Sequence, residues 1–127
     1  MRGLDFSLLP GSWGIARLDP SAAVPEWAAS GAFTSVSRTA DGLSIVCPEE
    51  AIPATCRAER GWAALKLHGP FPFSEIGILA SITTPLAAAK VSIFAVSTFD
   101  TDYVLVPRAN LPEAIAALEA AGHRRTE

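Results

Sequence analysis

Apolar and polar residues alternate along the second half of the chain in an order that predicts strand, helix, strand, strand and helix. β-Branched and aromatic residues favour three strands, at 62–67, 91–97 and 102–106. Residues 98–101, of which three are polar, form the turn between the last two strands. Because a split βαβ fold needs one more strand, we expect residues 4–9 or 54–60 to complete the sheet.

Two segments with apolar positions at helical spacing are flanked by residues that favour helix ends. Ser74 is the expected N-cap of the first helix. Pro85 lies inside this helix and is expected to kink or split it. Asn110 and Glu113 resemble a capping box at the start of the second helix, and Gly122 is expected to end it.

The first half of the chain repeats this pattern in an abbreviated form. Residues 36–53 align with residues 96–112 at a shift of sixty positions, followed by a one-residue deletion. Only one short helix, around residues 21–30, fits between the first strands of this half. We therefore predict two units, residues 1–60 and 61–127.

Composition indicates a folded protein that does not bind nucleic acid. Half of the 127 residues are hydrophobic and 18% are charged, so the chain can bury a core. The net charge of −3 gives no basic footprint for a phosphate backbone. No signal peptide is evident, and polar residues interrupt the longest apolar segment, at 76–96. We expect a cytoplasmic protein without a membrane span.

Catalytic and metal-binding motifs are not evident. The chain has no P-loop and no G-x-S-x-G, and GSWGIA at 11–16 lacks the full dinucleotide-binding pattern. Neither His68 nor His123 has metal-ligand spacing to Cys47 or Cys56. We expect two buried free thiols, while a redox pair or half of a metal site stays open. No cofactor, metal ion or catalytic residue is predicted.

Residues 73–106, FSEIGILASITTPLAAAKVSIFAVSTFDTDYVLV, closely resemble the ACT domain, specifically the paired-ACT group that includes the CASTOR arginine sensors. The segment SRTADGLSIVCPEEAIP resembles the matching part of the first ACT unit in small bacterial members. The resemblance implies an α+β fold of two ferredoxin-like βαββαβ units, packed as a pair that can share strands. It also implies a regulatory role in amino-acid binding, without catalysis.

In the arginine sensors the ligand lies between ACT units. It contacts the loop that opens the first helix and the turn between the second and third strands. Carried onto this chain, the resemblance implies a ligand site of nine residues: Glu75, Ile76, Gly77, Ile78, Thr98, Phe99, Asp100, Thr101 and Asp102. The residues that depart from the family in type are Ile76, Asp100 and Thr101.

The chemistry of these residues suits a free amino acid. Bare N–H groups at a helix start would bind its carboxylate, and Gly77 would let it approach the backbone. Glu75, Asp100 and Asp102 would attract an ammonium or guanidinium group, so we expect a neutral or cationic ligand. Structural alternatives stay open, because Glu75 also complements a helix dipole and Asp100 suits a turn.

The sequence therefore favours a regulatory protein that binds an amino acid at an interface between ACT units, forms homo-oligomers and signals to a protein partner. The first alternative is a protein–protein interaction module without a ligand. The second is an enzyme of unknown type, in which Asp100 and Asp102 would act as acid and base.

Overall fold

The computed structural model describes residues 3–72 and 74–126, within which it contains eight strands and two α-helices. The strands are β1 (Asp5–Leu8), β2 (Trp13–Leu18), β3 (Ser35–Arg38), β4 (Leu43–Pro48), β5 (Ala58–Leu67), β6 (Phe94–Ser97), β7 (Asp102–Pro107) and β8 (Arg124–Arg125). The helices are α1 (Ile78–Ala88) and α2 (Leu111–Ala120). The predicted α+β, ferredoxin-like class is confirmed. Neither helix of the described chain is both long and apolar enough to cross a membrane.

The chain divides into two compact units. The C-unit combines Met1–Leu9 with Ala63–Glu127, and the N-unit is Pro10–Trp62. The predicted division after residue 60 is wrong for the first nine residues, which belong with the second half of the chain. One of the two options that the sequence left open, residues 4–9, supplies the additional strand because β1 pairs with β5. The assignment of each half to one ACT unit stays a prediction.

The C-unit packs two helices against one face of a sheet. Strand β1 is antiparallel to β5, with Phe6 opposite Leu67, and parallel to β8. On the other side of β5 lies β7, which pairs with the antiparallel strand β6. Alternate strand residues and one stripe of each helix form the core, whose largest fully buried members are Phe6, Leu65, Leu67, Ile82, Leu86, Val104, Val106 and Leu118.

Helix α1 begins later than the sequence suggests. The prediction of Ser74 as its N-cap is wrong, because the helix begins at Ile78 after Gly77, whose φ of 85° places it in the left-handed region. Gly77 therefore precedes the helix and is not inside it. Pro85 lies within the helix and does not split it. Strand β6 also starts three residues later than predicted, at Phe94.

The N-unit is a four-stranded antiparallel sheet with 3-10 helices in place of α-helices. Its strand order is β3, β4, β2 and the first part of β5. The short helix expected around residues 21–30 is a 3-10 turn at Glu26–Ala29, which follows Pro25. The core of the N-unit consists of Ala16, Ala28, Leu43, Ile45, Cys47 and Ile52.

The internal repeat appears as two hairpins of the same construction. Arg38 pairs with Leu43, and Ser97 pairs with Asp102, so each hairpin has a four-residue turn. Each second strand ends in a proline that opens a 3-10 turn, at Glu49–Ala51 and Arg108–Asn110. The two hairpins are offset by 59 positions, so the predicted shift of sixty is wrong by one residue.

The offset between the two hairpins is fixed by which strand residues face the core. A shift of one residue exchanges the two faces of a strand, so only the correct offset keeps the core positions in phase. Ile45 and Cys47 face the N-unit core, and the residues 59 positions later, Val104 and Val106, face the C-unit core.

Candidate functional site

The turn between β6 and β7 is held by the side chain and backbone of Thr98. Its N–H and its hydroxyl both donate to the Thr101 carbonyl, at 2.9 and 2.8 Å. The Thr101 N–H donates back to Thr98 Oγ1 at 3.2 Å. The Thr101 hydroxyl, which is buried, donates to the Leu67 carbonyl at 2.7 Å and so fixes the turn to β5.

The loop after β5 crosses this turn at close range. The Phe71 N–H donates to the Asp100 carbonyl at 3.2 Å. A Cβ atom at Gly69 would lie 2.8 Å from the same carbonyl oxygen, so this approach requires glycine. This contact joins residues about thirty positions apart in sequence and has no local signal.

The start of α1 is open to a ligand. Before the helix, the Glu75 N–H donates to the Pro72 carbonyl at 3.0 Å, which forms a turn. No side chain caps the first turn of the helix, and none of its residues is acidic. Glu75 precedes the helix and so does not lie in its first turn. Uncapped N–H groups at such a position can bind a carboxylate.

These three segments surround one cavity of about 220 Å3. Seven of the nine predicted site residues line it: Glu75, Ile78, Thr98, Phe99, Asp100, Thr101 and Asp102. Ile76 and Gly77 do not line it, and Ile76 is 94% exposed. The sequence reasoning missed Phe71, Pro72 and Ser97, which complete the lining. As ligand contacts, all of these residues stay predictions.

The cavity is acidic because its two aspartates keep their charges uncompensated. Among the described residues, no hydrogen bond or ion pair engages the carboxylate of Asp100 or Asp102. The sequence left open that the Asp100 side chain forms a hydrogen bond within the turn. In the structure the Thr98 side chain forms the hydrogen bonds within the turn instead. A cationic group brought between these carboxylates would gain charge-assisted hydrogen bonds.

A second cavity of about 300 Å3 borders the same turn and contains basic groups. It is lined by Lys66, His68, Gly69, Pro70, Asp100 and Thr101. Lys66 therefore lies near Asp100, one of the residues that line the acidic cavity. The His68 Nε2 lies 2.9 Å from the Ser7 hydroxyl and holds an exposed position.

The cysteines and histidines form no metal site. Both thiols are free, with Cys47 buried as predicted and Cys56 only half-buried. Burial is the main cause that raises the pKa of the Cys47 thiol, and the neighbouring Cys56 adds to it. No three metal-ligating side chains cluster within residues 3–72 and 74–126.

Comparison with known proteins identifies the fold and the family. A model of the ACT domain matches residues 57–120, and a model of an N-terminal domain matches residues 11–55. Protein Atu0741 from Agobacterium tumefaciens is 44% identical in sequence, with a TM-score of 0.94 over 99% of this chain and 94% of that one. The regulatory subunit of aspartate kinase from Thermus thermophilus, at 14% identity and a TM-score of 0.65, covers 92% of this chain and 96% of its own and shares the fold.

Among curated proteins, the human cytosolic arginine sensor for mTORC1 subunit 1 is 41% identical over 59 residues. The match covers 46% of this chain and 18% of the sensor, so the chain spans less than a fifth of that relative. The ACT model covers half of the chain and includes all of the residues that line the acidic cavity. The chain belongs to the ACT domain family.

Proposed function

We propose that the protein is a non-catalytic regulatory protein that binds a neutral or cationic amino acid in the acidic cavity of the C-unit. The observation that carries this proposal is one cavity lined by both predicted segments and by two uncompensated carboxylates, Asp100 and Asp102. The similarity to a human arginine sensor over 59 residues supports the same ligand class. That relative is described as cytosolic, and we propose a cytoplasmic location for this protein too.

The three groups of an amino acid each find a partner in this arrangement. The carboxylate binds at the uncapped start of α1, near Ile78. The ammonium group, or a guanidinium side chain, binds Asp100 and Asp102. The apolar part of the ligand packs against Phe99, whose side chain is 78% exposed in the free protein.

The exposure of Phe99 supports a ligand held at an interface between ACT units. Phe99 lines the cavity and is 78% exposed, so a ligand packed against it stays open to solvent unless a second surface covers it. A second ACT unit, from this chain or from another copy in a homo-oligomer, covers the bound ligand. Binding then favours one packing of the units over another, and a protein partner reads that change.

A thermal screen of the twenty amino acids tests the proposal. A neutral or cationic amino acid at about 100 times its dissociation constant should stabilise the protein by about 2.7 kcal/mol. Asp102→Asn removes one carboxylate and should abolish this gain without changing the fold. Glu119→Gln makes the same charge change at an exposed residue of α2 outside the cavity and should keep the gain.

Either of two results would contradict the proposal. If no neutral or cationic amino acid raises the melting temperature, or if Asp102→Asn responds as the parent does, the acidic cavity is not the site. An acidic amino acid should give no rise that depends on Asp102.

A protein interaction module without a ligand is the second candidate function. It is favoured by two exposed apolar side chains beside the cavity, Ile76 at 94% and Phe99 at 78%. In that case the screen gives no stabilisation, while Ile76→Ser and Phe99→Ser weaken self-association in analytical ultracentrifugation.

A further inference from the structure

Two arginines stand opposite each other in the N-unit, Arg17 on β2 and Arg57 directly before β5. Ala16 of β2 pairs with Ala58 of β5, so the next pair in this antiparallel register is Arg17 with Arg57. The Arg17 N–H donates to the Arg57 carbonyl at 3.0 Å, which extends the pairing by that one step. Because Ala16 and Ala58 pack in the N-unit core, the two arginines point to the opposite, solvent-facing side.

This pair of like charges is not neutralised within the described chain. Like charges directly opposite on neighbouring strands destabilise a sheet. Neither guanidinium forms an ion pair with any described carboxylate. The Arg17 Nη2 donates instead to the backbone carbonyl of Asp41 at 2.5 Å. Asp19 interacts electrostatically with Arg17 without an ion pair, and Asp41 and Glu59 are the other acidic side chains near the two arginines.

Arg17 is nevertheless held in a fixed position. A Cβ atom at Gly42 would lie 3.1 Å from Arg17 Nε, so the guanidinium lies directly against the backbone of the turn between β3 and β4. The Thr39 N–H donates to the Gly42 carbonyl at 3.0 Å, and Thr39 Oγ1 accepts the Asp41 N–H at 3.1 Å. This turn is the counterpart, 59 positions earlier, of the turn that borders the acidic cavity.

The arginines open onto a cavity of about 260 Å3 that carries both signs of charge. Arg17 and Arg57 line it together with the acidic residues Asp41 and Glu59. Neither carboxylate has a hydrogen bond or ion pair within residues 3–72 and 74–126. The hydroxyl group of Ser44, which lies opposite Arg17 on β4, adds a neutral donor.

We propose that this cavity of the N-unit is a second ligand site, which binds an acidic amino acid. The two guanidinium groups bind its two carboxylates, since each can form a bidentate, charge-assisted pair. Asp41 or Glu59 binds its ammonium group. The bound anion removes the repulsion between Arg17 and Arg57, so the site prefers the ligand that the acidic cavity of the C-unit repels. The inference is independent of the function proposed for the C-unit.

Isothermal titration calorimetry of the whole protein with L-glutamate and L-aspartate tests this site. At least one of them should bind, and Arg57→Gln should weaken that binding at least about tenfold. Without ligand, Arg57→Gln should melt at or above the temperature of the parent, because it relieves the repulsion. Arg108→Gln is the matched control, since it makes the same charge change at an exposed C-unit residue and should bind as the parent does.

Three outcomes would overturn the assignment. The first is no binding of either amino acid, or equal binding by the Arg57→Gln variant. The second is an equal response to succinate, which has two carboxylates but no ammonium group. The third is an equal rise in melting temperature with sodium chloride at the same ionic strength, which would show general charge screening. Asp102→Asn changes the acidic cavity of the C-unit and should keep the response to the acidic amino acid. A negative result for one proposed site therefore does not count against the other.

Discussion

The buried imidazole of His123 replaces a backbone hydrogen bond that Pro85 cannot make. Pro85 has no N–H, so the Ser81 carbonyl, four residues earlier in α1, lacks its helical donor. His123 Nε2 donates to that carbonyl at 2.8 Å, and His123 Nδ1 accepts the Leu4 N–H at 3.0 Å. These two bonds use both nitrogens of a neutral imidazole in one tautomer. They account for a continuous helix where the sequence predicts a kink or a split.

Replacing His123 should be costly. His123→Ala leaves a partly buried carbonyl and a buried N–H without partners, and should lower the free energy of unfolding by about 2–4 kcal/mol. In that background, Pro85→Ala restores an N–H to the helix and should recover part of the loss. Urea denaturation of the two single variants and the double variant measures this coupling.

His68→Ala is the matched control for His123, because His68 is exposed, and its effect should stay within about 0.5 kcal/mol. If the effects of His123→Ala and Pro85→Ala simply add, the imidazole does not substitute for the missing amide.

The buried thiol of Cys47 makes stability depend on alkaline pH. Burial and the nearby Cys56 raise the pKa of the Cys47 thiol in the folded state. The unfolded chain therefore loses this proton at a lower pH than the folded chain does. The stabilisation is complete below the ordinary thiol pKa and falls as pH rises above it. Urea denaturation at neutral and alkaline pH should show this decline, and Cys47→Ala should reduce it.

The residues of the acidic cavity were predictable only in part. Four of the five residues 98–102 are polar and lie between strand formers, and the ACT resemblance assigns all five to a site. Phe71 and Pro72 reach the cavity because Gly69 lets the loop approach the Asp100 carbonyl, a contact between residues about thirty positions apart. No local pattern in the sequence encodes that contact.

At the scale of elements, both helices end in the same Schellman motif with different residues at its left-handed position. After α2, Gly122 has a φ of 96°, and the His123 N–H donates to the Leu118 carbonyl at 3.0 Å. After α1, Lys90 has a φ of 61°, and the Val91 N–H donates to the Leu86 carbonyl at 3.0 Å. Lys90 thus occupies a conformation that suits glycine.

Lys90→Gly should therefore stabilise the protein by about 1 kcal/mol, since glycine adopts this conformation without steric cost. The matched variant is Gly122→Ala, which introduces the same cost at the end of α2 and should destabilise by a similar amount. Thermal and urea denaturation of both variants measure the two effects, and changes of the same sign in both would contradict this explanation.

Element types were predictable from local chemistry, whereas two boundaries were not. β-Branched and aromatic residues correctly placed the hairpin of β6 and β7 around residues 98–101. Ser74 has the side chain of an N-cap, yet α1 begins only after Gly77 has turned the chain. The loop before it is directed by its tertiary contact with the turn, and tertiary contacts override such local preferences.

At the scale of the whole molecule, the order of elements and the ACT resemblance were sufficient to predict the fold class. The discontinuous composition of the C-unit was harder to predict. Strand β8 pairs with β1, which brings Arg124 beside Asp5, 119 positions earlier. The hydrophobic pattern of a strand indicates which face is buried but leaves its partner strand undetermined.

The pairing of β1 with β8 also sets the order in which the nascent polypeptide can fold. The N-unit, Pro10–Trp62, is continuous and has all of its residues once Trp62 has left the ribosome. Strand β1 gains its partner β5 soon afterwards, but its other edge stays open until Arg124 and Arg125 have been synthesised. Until then this edge is available to chaperones or to neighbouring nascent chains.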